Sequence, residues 1–322
     1  MDEKEKQALD RFERLIKAKD RAVFTNLTDL KVDQDIEGTK TKVRCYSITL
    51  DGNLLPATKD LVDFIVGHAV NYCIPESEMA KARQEDKKYG TDSRMARLIK
   101  RAHGLFNNLS KTGEPGELLL YILVREVLRL PLLVCKMSLK TDPALHYQGV
   151  DGIHAKVEKG ADNIPTLALY WGESKVYARV GSAITDCIDS LKSYVIADAH
   201  GNQTAKRDME LISANLNVAD EDLKEALLLY FDKDHPASKR INYRGVALVG
   251  FTEKSYPSIQ NTKNQEELLN EIRGKVNDWV KKIHTALGKH VGLEEVEIHF
   301  FLVSMDDVNI FRDEFRKSLK LL

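Results

Sequence analysis

The chain has 322 residues, 43% hydrophobic and 30% charged, with a net charge of −1. That is the composition of an ordinary globular protein with ample core material in one large or two smaller domains. It excludes a global basic field that would announce a nucleic-acid partner, so any such contact must use a local patch. No stretch approaches about 18 consecutive apolar residues, so no membrane span is expected. The N-terminal MDEKEKQALDRFERLIKAKD lacks the apolar stretch of a secretory leader. Cys45, Cys73, Cys135 and Cys187 are far apart with no C-x-x-C pair. They read as isolated buried thiols of a cytoplasmic protein, not as a zinc or redox motif.

The apolar spacing of Leu9, Phe12, Leu15 and Ile16 predicts a helix over 3–19. A strand is expected over 42–50, followed by the turn Asp51-Gly52-Asn53. A helix over 58–73 stops before Pro75, and 76–104 reads as helical and rich in charge. The loop NNLSKTGEPG (107–116) carries two glycines and a proline and marks a boundary. It separates a mostly helical N-terminal extension, 1–110, from a second domain, 111–322. After it come an apolar helix (117–130), strands over 132–139, 147–158 and 166–175, and a helix over 176–195. Helices near 204–214 and 219–232, a strand at 244–251, a helix over 264–287 and a strand at 295–303 follow. The last helix is placed from Ser304, capped within Ser304-Met305-Asp306-Asp307, with Val308, Phe311, Phe315 and Leu319 as its apolar stripe. This order gives an α/β fold class: a mixed central sheet flanked by helices.

The strand TLALYWGESK ends in opposite charges. Period-two alternation puts Glu173 and Lys175 on one face. An ion pair on a strand rim is the plain explanation. A second carboxylate favours a site. Asp151 lies between Val150 and Gly152 in the preceding strand candidate, where aspartate and glycine are poor choices. A turn aspartate is the alternative. Glu117 opens the apolar helix, where the helix dipole alone would favour it, and Glu114 competes with it from the loop before Pro115. Two carboxylates and the Ser174 backbone carbonyl would make an all-oxygen site suited to Mg2+ or Mn2+. On the charged helix, Arg94, Arg97 and Arg101 recur at spacings of three and four. They line one face that could follow a phosphate backbone, meet a protein partner or simply face water. His154 would point to the other strand face from Asp151 and reads as structural. No G-x-x-x-x-G-K-[ST] motif is present, so ATP hydrolysis is not expected of this chain.

Glu117, Asp151 and Glu173-x-Lys175 in helix–strand–strand order resemble the PD-(D/E)xK nuclease superfamily, with Val150 where the name-giving motif has proline. The segments GEPGELLLYILVREVL, GVDGIHA and LALYWGESKVY resemble more narrowly the HamA family, effector nucleases of the Hachiman anti-phage system. The resemblance covers about 113–195. It implies metal-dependent hydrolysis of DNA, with Asp151 and Glu173 holding Mg2+ (or Mn2+) and Glu117 completing the acidic cluster. Lys175 would orient or help deprotonate the attacking water, or stabilise charge on the phosphate. It also implies a helicase partner of the HamB type that restrains or releases the nuclease. Two alternatives stay open: a non-catalytic DNA- or partner-binding subunit on the same fold, and a metal-free carboxylate-pair enzyme such as a glycosidase.

Overall fold

In a computed structural model, described for residues 9–12, 15, 23–106, 113–135, 137, 151–160, 164–196, 209 and 212–321, the chain builds one mixed sheet flanked by helices. Its strands are β1 (Leu27–Asp29), β2 (Gln34–Asp35), β3 (Thr41–Ile48), β4 (Gly152–Lys159), β5 (Pro165–Tyr177), β6 (Ile241–Thr252) and β7 (Ile298–Met305). The order across the sheet is β1-β3-β7-β6-β5-β4, with β2 paired to β3. The β3, β7, β6 and β5 strands run parallel, while β1, β2 and β4 pair antiparallel at the rims. Strands 27–48 and 152–305 therefore share one hydrogen-bonded ladder. Every residue of β7 is buried, as expected for a central parallel strand covered on both faces.

The α-helices of five or more described residues are α1 (Thr58–Gly67), α2 (Ala69–Cys73), α3 (Glu76–Tyr89), α4 (Ser93–Phe106), α5 (Glu114–Leu123), α6 (Val180–Val195), α7 (Glu221–Phe231), α8 (Gln265–Leu287) and α9 (Val308–Leu321). The continuous helix expected over 76–104 is two helices. Gly90 at φ +63° ends α3 in the left-handed conformation that glycine adopts without strain. The helix over 58–73 is likewise divided, at His68. Residues 132–135 form only isolated bridges, Leu132 to His154 and Val134 to Leu216, instead of a strand. Much of the expected helices at 3–19 and 204–214, and residues 147–150 of the expected strand, lie outside the described residues. The last helix begins at Val308, because Ser304 and Met305 complete β7. Its cap is Asp307, whose Oδ1 accepts from the Asn309 N–H at 2.7 Å. Asn264 caps α8 in a reciprocal box with Glu267.

The predicted stripe of α9 is buried and packs against α1. Phe315 meets Phe106 edge-on with ring centroids 5.7 Å apart. Two partly buried hydrogen bonds tie this corner: Ser318 Oγ to Asp63 at 2.8 Å and Thr58 Oγ1 to Asp306 at 2.7 Å. On one face of β5 and β6 lies α6, where Tyr194 stacks on Trp171. On the other face of β5 lies α5, close enough that Gly116 faces Ser174 and Val176 directly. The C-terminal end of β5 thus emerges between α5 and α9. No helix among the described residues is long and apolar enough to cross a membrane.

Candidate functional site

At that end of β5 an open cleft of about 560 Å³ is lined by Glu117 and Gly113 of the α5 start, Asp151, residues Ser174 to Tyr177, and Asn309, Arg312 and Arg316 of α9. Three of the four candidate residues line it, and the fourth, Glu173, is bonded to its lysine. Lys175 Nζ donates to Glu173 Oε1 at 2.5 Å. The ion pair expected on a strand rim is present, and its lysine lines the cleft. The carboxylate is nearly inaccessible, 6% exposed, while the ammonium reaches the cleft. Burial alone would depress the Lys175 pKa. The Glu173 charge and hydrogen bond, with the Asp151 charge behind them, outweigh burial and hold it above the ordinary lysine value. The backbone carbonyl of Glu173 accepts from the Cys187 thiol at 3.4 Å, and burial followed by the Glu173 charge pushes that thiol's pKa up. All four cysteines are buried thiols outside any disulfide.

Asp151 sits at a bend immediately before β4, not inside a strand. The aspartate expected inside a strand is a bend residue instead. Its position is nonetheless fixed. The Asp151 N–H donates to the Gly172 carbonyl at 2.7 Å. Its Oδ2 accepts from the Ser174 N–H at 2.7 Å and the Ser174 hydroxyl at 2.6 Å. The β4 ladder, among the described residues, ends at the Gly152–Gly172 pair, and just beyond it the Asp151 carboxylate takes the Ser174 N–H. This locks Asp151 to the residue between Glu173 and Lys175.

Glu117 and Glu114 both belong to the first turn of α5, with Pro115 between them. Glu114 is therefore helical rather than a loop residue. It is buried, whereas Glu117 lines the cleft. Glu117 is tied to Asp151 by Tyr72 of α2, whose hydroxyl donates toward Glu117 Oε2 at 3.2 Å and to the Asp151 carbonyl at shorter range. Tyr72 is fully enclosed; burial first, then the charges of Glu117 and Asp151, push its pKa well up, so it stays a neutral donor. Sequence reading missed Tyr72, since its partners lie 45 and 79 residues away.

The donor chemistry of Asp151, Glu173, Glu117 and the backbone of β5 is all oxygen, which fits a hard divalent cation. As arranged, Glu173 is engaged by Lys175 and Asp151 by Ser174. Among the described residues no group of three or more His, Cys, Asp or Glu side chains is gathered tightly enough to hold a metal ion.

Arg94, Arg97 and Arg101 do not line this cleft. Arg101 makes a bidentate contact with Glu78 of α3, and Arg94 pairs with Glu85 and Asp86, so these two fasten α4 to α3. Arg97 is exposed and donates to the Ser93 carbonyl of its own helix. The cations at the cleft besides Lys175 are Arg312 and Arg316. The available sequence signal was their i, i+4 spacing along the edge of the apolar stripe of α9. His154 is structural as expected. It is buried against the Leu130 carbonyl at 3.2 Å, and burial lowers its pKa to about 4, so it is neutral.

A sequence model described as HamA matches residues 22–319. No curated protein matches the chain.

Proposed function

Since the chain belongs to the HamA family, it is associated with Hachiman anti-phage defence, and we propose that it is the metal-dependent deoxyribonuclease of that system, restrained by a helicase partner of the HamB type. One observation carries the reading. A strand-end Glu173–Lys175 pair, an Asp151 carboxylate pinned to the Ser174 between them, and Glu117 held to Asp151 through Tyr72 all meet at one open cleft. An ion pair needing only stability would not require Asp151, Glu117 and Tyr72, from three other segments of the chain, to be bonded together beside it.

In this reading Asp151 and Glu173 hold Mg2+ or Mn2+, with Glu117 completing the set. Bound there, the ion supplies a water of lowered pKa and neutralises charge on the phosphate. The chain's own residues do the positioning. Ser174 and Gly172 fix Asp151. Tyr72 sets the distance from Asp151 to Glu117. Lys175, held protonated, places a positive charge where negative charge develops on the scissile phosphate, which is worth more in a partly enclosed site than in water. A reading as a non-catalytic DNA- or partner-binding subunit has one point in its favour, the lack of a tight three-ligand group among the described residues. Incubation of the purified chain with supercoiled plasmid separates the two, with and without Mg2+ or Mn2+, alone and with the helicase. The nuclease reading expects metal-dependent nicking; binding without nicking under every condition supports the subunit reading.

Control through residues 1–110 remains part of the proposal. Deleting them would also remove β1–β3 from the sheet. The helicase contact is better sought by surface substitutions on α3 and α4 than by truncation.

A further inference from the structure

The cleft has two chemically different walls. One carries the acids Glu117 and Asp151. The other is α9, which presents Asn309, Arg312 and Arg316 at spacings of three and four. Residues four apart on a helix lie above one another at about 6 Å, within reach of neighbouring phosphates of one strand, which advance about 3.4 Å each along the duplex axis. Arg312 is anchored, because one guanidinium nitrogen donates to the Val176 carbonyl at the end of β5. A guanidinium has five N–H donors, so this bond orients the group and leaves donors for the cleft. Arg316 pairs with Asp313 on its own helix, and both side chains are more than half exposed. Such a pair is weak and readily exchanged for a better anion.

Resting on the nuclease reading, we propose that the Asn309–Arg312–Arg316 face of α9 is the phosphate-binding wall of the site. It takes the sugar-phosphate backbone of the DNA strand to be cut and lays it across Lys175 toward the acidic wall. Planar guanidinium groups bind phosphate oxygens bidentately and carry no base information. This wall therefore gives affinity and register without sequence preference. The face of α4 is the weaker candidate, since Arg94 and Arg101 pair with acids of α3 and none of its arginines lines the cleft.

The test uses the full chain with a fluorescently labelled 30-base-pair DNA duplex. Binding is measured in a Glu173→Gln background over a salt series, and cleavage in the otherwise wild-type chain. Arg316→Gln is the main variant because the side chain is exposed and its loss does not threaten the fold. It is expected to weaken binding about tenfold near 0.1 M salt and to reduce the slope of log affinity against log salt by about one, equally for unrelated sequences. Cleavage should show a raised KM with kcat changed by no more than about twofold. Unchanged affinity, slope and KM, in a protein that still binds and cuts, overturns the proposal and leaves the nuclease reading standing. A slope reduced by Arg97→Gln but not by Arg316→Gln moves the strand to α4 and also overturns it. Loss of helicase co-purification with DNA binding intact makes this face a protein interface, again against the proposal. Failure of the wild-type chain to bind or cut the duplex, alone or with the helicase, removes both readings together.

Discussion

Gly116 is where packing and chemistry are most tightly joined. A methyl group added there would stand 2.8 Å from Val176 Cγ2 and 3.2 Å from Ser174 Oγ. Val176 cannot easily yield. Its χ1 is stiff because it is β-branched, and both its methyl carbons already lie within 3.2 Å of where a Gly250 Cβ would be. In Gly116→Ala the helix α5 must therefore lift from β5. Overpacking of this kind costs about 1–3 kcal/mol, offset by the roughly 1 kcal/mol that alanine contributes over glycine in a helix. The net loss should be about 0–2 kcal/mol. The effect on activity should be larger, because the moving turn carries Glu117 and the displaced atom is the hydroxyl that holds Asp151. Misplacement approaching 1 Å in a site costs on the order of 100-fold, so cleavage should fall about 10- to 100-fold. Gly274→Ala in α8 is the control. Nothing lies within 4 Å of its added carbon, so it should stabilise by up to about 1 kcal/mol with activity unchanged. Denaturant unfolding and plasmid nicking on both variants decide the matter. A Gly116→Ala protein as active as wild type, and stabilised like Gly274→Ala, would show that α5 does not press on the site.

Tyr72→Phe removes the donor shared by Glu117 and the Asp151 carbonyl, at a cost of about 1 kcal/mol. Nicking should drop with it, and a variant with unchanged melting and unchanged nicking would mean that the bridge positions nothing. The Lys175 pKa is raised above its ordinary 10.5 on folding. The pair's contribution to stability is therefore fully present below about pH 10.5 and is lost as pH rises through the higher folded value. Unfolding followed from pH 8 to 12 should show that loss in wild type and a smaller one in Lys175→Met; identical alkaline limbs would contradict the pairing. Ser174→Ala should lower activity about tenfold by freeing Asp151 while costing about 1 kcal/mol of stability. Wild-type nicking by this variant would assign Asp151 no role that depends on its anchor.

Much of this geometry was legible because it is local. Alternation along β5 placed Glu173 beside Lys175, and the three- and four-residue spacing of Val308, Phe311, Phe315 and Leu319 gave the buried face of α9. Other errors were also local. Gly90 was passed over inside a charged helical run, and the apolar run of β7 carries through Ser304 and Met305, which hid where α9 begins. The remainder depends on contacts without a short-range signature. The parallel pairing of β3 with β7 joins Thr41 to Ile298, and no turn or spacing announces such a pairing. Tyr72 looks like any apolar helix residue until the fold brings it to Asp151. Arg312 and Arg316 belong to no motif in the sequence, and only the end of β5 beneath them gives them a cleft.

The central claim is that Glu173 belongs to a metal-dependent cutting site and not merely to an ion pair. Supercoiled plasmid is incubated with the wild-type chain and with Glu173→Gln, each in Mg2+ or in excess chelator, alone and with the helicase, after unfolding curves have shown both proteins folded. The account predicts nicking by wild type in Mg2+ only, and none by Glu173→Gln under any condition. Nicking by Glu173→Gln at the wild-type rate, or nicking that persists in chelator, would contradict it.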